Sequence, residues 1–203
     1  KRQFDHFLDF FSSRNRKNLK KERRKIAEQD LEIKRFTGNQ ISLDVVDDFY
    51  SFYVDTHLRR SGHSGYLNKD FFEEITQTIA DNILIILAYK NGRAVAGSFF
   101  FYDQNNLYGR YWGASSDFDA LHFECCYYQG IDFCIEKNIK RFDPGVQGEH
   151  KIKRGFEPTF TFSSHWIENY DFSLAINDFL LREDKYIKDY HQDASTLLPF
   201  KNI

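Results

Sequence analysis

The stretch Ile83-Leu-Ile-Ile-Leu-Ala-Tyr89, followed after Lys90-Asn91-Gly92 by Arg93-Ala-Val-Ala-Gly-Ser-Phe-Phe-Phe-Tyr102, decides the fold class. Two strand-length runs of aliphatic and aromatic residues separated by an Asn-Gly pair predict an antiparallel hairpin. A third run, Leu107 to Gly113, follows the polar turn Asp103-Gln104-Asn105-Asn106. From Leu121 to Lys137 apolar residues recur at helical spacing, and a short strand is expected at Lys140 to Asp143. A helix joining two such strands makes 107–113 and 140–143 parallel neighbours. The expected class is α+β, a mixed sheet of antiparallel strands with one parallel crossover pair, flanked by helices.

Working outward, Phe4 to Phe11 is an apolar-rich opening, and Ser12 or Ser13 caps a basic helix running to about Gln29. A strand is expected at Leu31 to Phe36, and helices from about Ser42 and from Asn68 to Ile79. Downstream, a strand is expected at Thr159 to Ile167 and an amphipathic helix at Phe172 to Tyr190. No internal repeat is present.

The 203 residues are 41% hydrophobic and 29% charged, a balance that suits a globular chain able to bury its own core. With 22 Phe and 12 Tyr, that core is expected to be built largely from rings. The longest aliphatic run, 83–88, is too short to span a bilayer and no signal pattern opens the chain, so the protein reads as cytoplasmic. Cys125, Cys126 and Cys134 share one predicted helix without metal-ligand spacing, and read as reduced core thiols.

The net charge of −2 conceals a basic segment, since residues 14–25 hold eight Lys or Arg and one Glu. Only Leu19 and Ile26 interrupt it. Residues 1–30 therefore read as a basic helical arm ahead of a domain at 31–203. The arm is either a solvated bridge or an anion-binding surface made by Arg16, Lys17, Lys20, Arg23 and Arg24. The chain begins at Lys1 within a helical pattern and reads as part of something longer.

Ligands of open sheets bind beyond the carboxyl ends of parallel strands. That expectation places Trp112-Gly113 beside Asp143-Pro144-Gly145. Just beyond, Asp143, Gln147, Glu149, His150 and Lys151 crowd one turn, where Glu149, His150 and Lys151 supply a base, an acid and a positive charge and Asp143 is a fourth catalytic candidate, its plainer reading a turn former. The plainer reading of the triplet is a helix N-terminal turn with Glu149 on the dipole. Trp112, Arg110, His122, Glu124, Gln147 and Lys153 are the expected substrate-binding residues. His165 reads as structural. No P-loop, Ser-His-Asp pattern or metal-ligand cluster appears, and no cofactor is implied.

In combination, Leu107-Tyr-Gly-Arg-Tyr-Trp-Gly-Ala114, Leu121-His-Phe-Glu-Cys-Cys-Tyr-Tyr-Gln-Gly-Ile131, Gln147-Gly-Glu-His-Lys151 and Arg154-Gly-Phe-Glu-Pro158 resemble the FemAB-like peptidoglycan biosynthesis/recognition family, across nearly the whole chain. The resemblance implies an acyl-CoA N-acyltransferase (GNAT)-like fold and a longer protein of two such lobes, of which this chain is the C-terminal one. It implies transfer of an aminoacyl or acyl group to an amine, here of a bacterial peptidoglycan or cell-envelope precursor, with aminoacyl-tRNA as one donor. Lys153-x-x-Phe156 is similar to an element of the Fem proteins. Acetyl-CoA users of the fold carry a Gln/Arg-x-x-Gly-x-Gly/Ala cradle, from which Arg110-Tyr-Trp-Gly-Ala-Ser115 departs at Ser115, so an acyl-CoA donor ranks lower. The alternatives are a non-catalytic module that recognises a peptide or muropeptide, and a conventional CoA-dependent N-acetyltransferase.

Overall fold

The structure, a computed structural model, describes residues 2–146 and 148–201. The chain forms two compact units, 1–146 and 147–203.

The first unit is built on a five-stranded sheet in the order β1-β2-β3-β4-β5. β1 (Leu31–Thr37), β2 (Ile83–Lys90), β3 (Arg93–Tyr102) and β4 (Asn106–Ala114) pair antiparallel, and β5 (Arg141–Asp143) runs parallel to β4. The β2–β3 turn is tight because Asn91 and Gly92 both take positive φ, 52° and 74°, the geometry whose twist matches a hairpin. Ile83 to Ala88 are wholly buried, as a central strand covered on both faces requires.

One face of the sheet is covered by α3 (Leu43–Ser61) and α4 (Lys69–Thr78), whose Val46, Phe49, Phe52, Tyr53 and Phe72 pack on Ile83, Ile85, Leu87 and Phe99. Side chains of Ser42 and Asn68 accept the Val45 and Phe71 backbone N–H groups and so start the two helices. The other face carries α2 (Ser13–Glu28), preceded by α1 (Arg2–Asp9), together with the crossover helix. That helix consists of α5 (Leu121–Phe123), a π turn (Glu124–Tyr128) and α6 (Gln129–Lys137). Leu121, Cys125, Phe133 and Cys134 seat it on Leu84, Ile86, Phe100 and Leu107.

Two expectations change here. Among the described residues β5 pairs only with 106–108, bringing Asp143 level with Tyr108, so Trp112 and Gly113 lie four and five residues further along β4 than Asp143 instead of beside it. Pro144 has no N–H to continue the ladder. The basic segment is also not a free arm: Leu19 and Ile26 are buried and Arg23 turns inward, so one face of α2 is fastened to the first unit.

In the second unit a 3₁₀ helix, Glu149–Arg154, leads through an extended segment to α7 (Tyr170–Thr196). The strand expected at Thr159 to Ile167 does not form. A strand satisfies its backbone through a partner ladder, and among the described residues this segment has none. Instead Phe160 stacks on His191 of α7 at 4.2 Å, and His191 Nε2 donates to the Pro158 carbonyl at 3.1 Å. Along α7 the apolar residues Phe172, Phe179, Leu180, Tyr186 and Ile187 are exposed.

Candidate functional site

The carboxyl end of β4 is where the sheet opens. Tyr108 is the last β4 residue paired to β5, and among the described residues those from Tyr111 to Ala114 pair only with β3. The β3 register skips one residue, with Phe99 opposite Tyr111 and Phe100 opposite Gly109, so Arg110 is the extra residue of a β-bulge. This exposes the Arg110 side chain and bends the strand just where its outer edge is left open.

Trp112 and His122, both expected to bind substrate, come together on the crossover-helix side: their rings meet edge to face at 5.4 Å, with Tyr127 a further 5.4 Å from His122. The preceding loop is anchored from α2. Gln29 binds both the N–H and the carbonyl of Asp119, at 3.0 and 2.9 Å, and Lys25 pairs with the Asp119 carboxylate.

Glu124 is placed differently from expectation. It is buried at the head of the π turn, where it accepts Arg23 Nη2 at 2.9 Å, Arg23 Nε at 3.2 Å and Gln129 Nε2 at 2.7 Å. Arg23 also reaches Asp132 at 2.8 Å and lies 4.5 Å from the centre of the Phe4 ring. Burial works against the guanidinium's charge, but the Glu124 and Asp132 carboxylates outweigh it and raise its pKa. Arg23 and Glu124, read as an anion-binding and a substrate-binding residue, are thus each other's partners. A π turn leaves a carbonyl outside the helical ladder, and Ser98 Oγ donates to that of Cys125 at 2.9 Å. Burial pushes the Cys125 thiol up and that of Cys134 to about 12, which leaves both as inert core thiols.

Of the other basic residues, Arg16 pairs with Asp9, Lys20 with Asp5 and Arg24 with Glu28. Lys17, Lys20 and Arg24 are exposed, and with Arg14 and Lys21 they leave the outer side of α2 basic.

The other side of the β4 end holds a cluster that the sequence reading missed. α3 crosses β4 so closely that a Cβ at Gly113 would lie 2.1 Å from the Phe52 carbonyl oxygen. Tyr53 meets Tyr111 edge to face at 5.2 Å, and His57, one turn on, lies 4.2 Å from the Tyr53 ring. Burial, then Tyr53, raises the Tyr111 phenol, with Arg110 opposing. Arg59 donates to the Ala114 carbonyl, tying the end of α3 to the end of β4. The loop back to α4 brings His63 to 6.0 Å from His57 and Tyr66 to 4.9 Å from His63. The available signal was His63-Ser-Gly65-Tyr66, a ring-bearing glycine turn between two capped helices.

In the second unit, Glu149, His150 and Lys151 form the first turn of the 3₁₀ helix, and Lys153 is exposed on the next. Tyr190 OH donates to Glu149 Oε1 at 2.9 Å, and Arg154 donates to the His150 carbonyl at 2.7 Å. Burial, with Arg154 and Lys151 adding to it, lowers the His150 pKa. In an NMR pH titration this imidazole is expected to protonate below the ordinary histidine value; a midpoint at or above that value would refute the environment described. Asp143, in the first unit, accepts Gly145 N–H at 2.8 Å, as a turn-forming aspartate does. Gln147 lies outside the described residues.

A model of the FemAB-like family, described as peptidoglycan biosynthesis/recognition, matches residues 1–202. The chain belongs to that family. Two solved structures share the fold of this FemAB-like chain. A possible acetyltransferase from Clostridium difficile 630 aligns at TM-score 0.51 and 12% identity, over 68% of this chain and 99% of that one. The structure of L-PGS from Bacillus licheniformis aligns at TM-score 0.50 and 16% identity, over 68% of this chain and 44% of that one. No match was found among curated proteins. The likeness shows the fold, a mixed sheet flanked by helices that is shared with that possible acetyltransferase. Among the described residues no helix is long and apolar enough to cross a membrane.

Proposed function

We propose that this FemAB-like chain is a catalytic lobe that moves an aminoacyl group from an ester donor to the amine of a peptidoglycan precursor, with the chemistry at the open end of β4. The observation that carries this reading is the β4 edge from Arg110 to Gly113, unpaired by any strand among the described residues, which offers backbone N–H and C=O groups to an extended donor or acceptor chain between two ring-lined walls. The loop from Ser115 to Ala120 favours an ester donor over acyl-CoA. It presents Asp117 and Asp119 where a diphosphate would need free backbone N–H groups, and the Asp119 N–H is taken by Gln29. The basic outer side of α2 suits an anionic donor such as aminoacyl-tRNA. Trp112 and His122 are assigned to substrate binding, and Glu149, His150 and Lys151 are retained as a proposed catalytic cluster of the second unit.

The test offers the purified protein radiolabelled aminoacyl-tRNA or acetyl-CoA, each with a muramyl-pentapeptide acceptor bearing a free amine, and reads new amide by mass spectrometry. Amide formed from aminoacyl-tRNA is the expected result. Amide from acetyl-CoA alone would overturn the donor assignment, and amide from neither would overturn the transferase reading.

A further inference from the structure

His57 of α3 and His63 of the loop that follows are held in opposite tautomers by the backbone. His57 Nδ1 lies 2.9 Å from the Tyr53 carbonyl oxygen. A carbonyl only accepts, so Nδ1 carries the proton and the neutral ring keeps its lone pair at Nε2. His63 is the reverse, because its Nδ1 accepts the Gly65 N–H at 3.1 Å and its neutral ring must carry the proton at Nε2. Among the described residues neither Nε2 has a protein hydrogen-bond partner, and both rings are half-buried.

The arrangement is fixed from below. Tyr53 OH accepts the Tyr66 and Leu67 N–H groups at 3.1 and 3.2 Å, clamping the loop onto the buried phenol. Gly65 makes the clamp possible: its φ is +95°, and a Cβ there would lie 2.5 Å from the Tyr53 ring. The His57 and His63 rings are 6.0 Å apart, and Tyr53 links His57 to Tyr111 of β4 through ring distances of 4.2 and 5.2 Å.

We propose that His57 is the general base of the transfer, taking a proton from the acceptor amine at Nε2, and that His63 beside it supplies an Nε2–H donor; this assignment rests on the transferase reading above. The ammonium of the acceptor gives one proton to His57, which passes it to solvent. The freed lone pair forms the C–N bond as the ester C–O bond breaks, and the second proton lost from nitrogen is balanced by the one gained by the leaving oxygen. The products are an amide, an alcohol and one released proton.

Two measurements on the whole chain test the assignment. Long-range ¹H–¹⁵N NMR is expected to show the Nδ1–H tautomer at His57 and the Nε2–H tautomer at His63, and the opposite tautomer at His57 would overturn the proposal. In the transfer assay, His57→Asn keeps an N–H for the Tyr53 carbonyl but has no base. It is expected to lower kcat about 10²-fold with KM for the amine changed less than about threefold, while added imidazole restores turnover to His57→Ala. Wild-type kcat in His57→Asn would overturn the assignment and leave the transferase reading standing, and more so if Glu149→Gln abolished turnover. A wild-type protein that forms no amide would overturn both.

Discussion

Replacing Arg23 by methionine is expected to destabilise the first unit by about 3 kcal/mol and to lower its melting temperature by roughly 10 °C, measured by circular dichroism. The reason is the carboxylate left behind. The Glu124 side chain is 4% exposed and takes two of its three hydrogen bonds from Arg23, so the variant strands a charge in a site built to be neutralised. Arg23 is itself 26% exposed, which places the expected cost at the lower end of the range for breaking a buried pair. The double variant Arg23→Met/Glu124→Met removes both charges and is expected to recover most of the loss, because the pair's net contribution is far smaller than the penalty of orphaning one member. A single variant as stable as wild type would show that water reaches Glu124 freely.

The second large effect is expected at Gly113. A Cβ there would lie 2.1 Å from the Phe52 carbonyl oxygen and 2.4 Å from its carbon, and backbone cannot rotate aside as a side chain can. Gly113→Ala must push α3 off β4, at a cost of about 3 kcal/mol. Because His57 lies five residues beyond Phe52 on the same helix, a displacement of about 1 Å is expected to lower transfer roughly 10²-fold even at temperatures where the variant is folded. Gly109→Ala is the control: its Cβ would meet nothing closer than 3.5 Å, and a change under about 1 kcal/mol is expected. Equal melting temperatures for the two variants would contradict the close crossing.

The parts of this molecule that were legible in its sequence are those written in local pattern. Asn91-Gly92 marks a hairpin because few other pairs adopt two positive φ values, and the run 121–137 shows its helical spacing to any reader. The parallel pairing of β4 and β5 followed from handedness and connection length. What stayed hidden depends on distant partners. The bond between Arg23 and Glu124 joins residues 101 apart, so the basic segment looked uniformly solvated although one of its charges faces inward. The segment 159–167 alternates as a strand does, but alternation cannot supply a neighbouring strand. The offset of β5 against β4 was invisible because pairing length is decided by where Pro144 falls, not by the strand's own residues. His57 and His63 were overlooked for another reason: their significance lies in which ring nitrogen is occupied, a property of backbone geometry that no spacing rule encodes.

The π turn at Glu124–Tyr128 holds one residue more than the α-helical spacing allows, and each residue in a helix advances the face by about 100°. The two ends of the crossover helix are therefore phased independently: His122 is aimed at Trp112 while Phe133 and Cys134, further on, still meet the sheet. Shortening a helix by one residue ordinarily ruins its fit along its whole length. Here the same deletion would restore regular hydrogen bonding and rotate only the end that faces the β4 opening, so that a change in chain length would reshape the wall formed by Trp112 and His122 while Phe133 and Cys134 stay on the sheet.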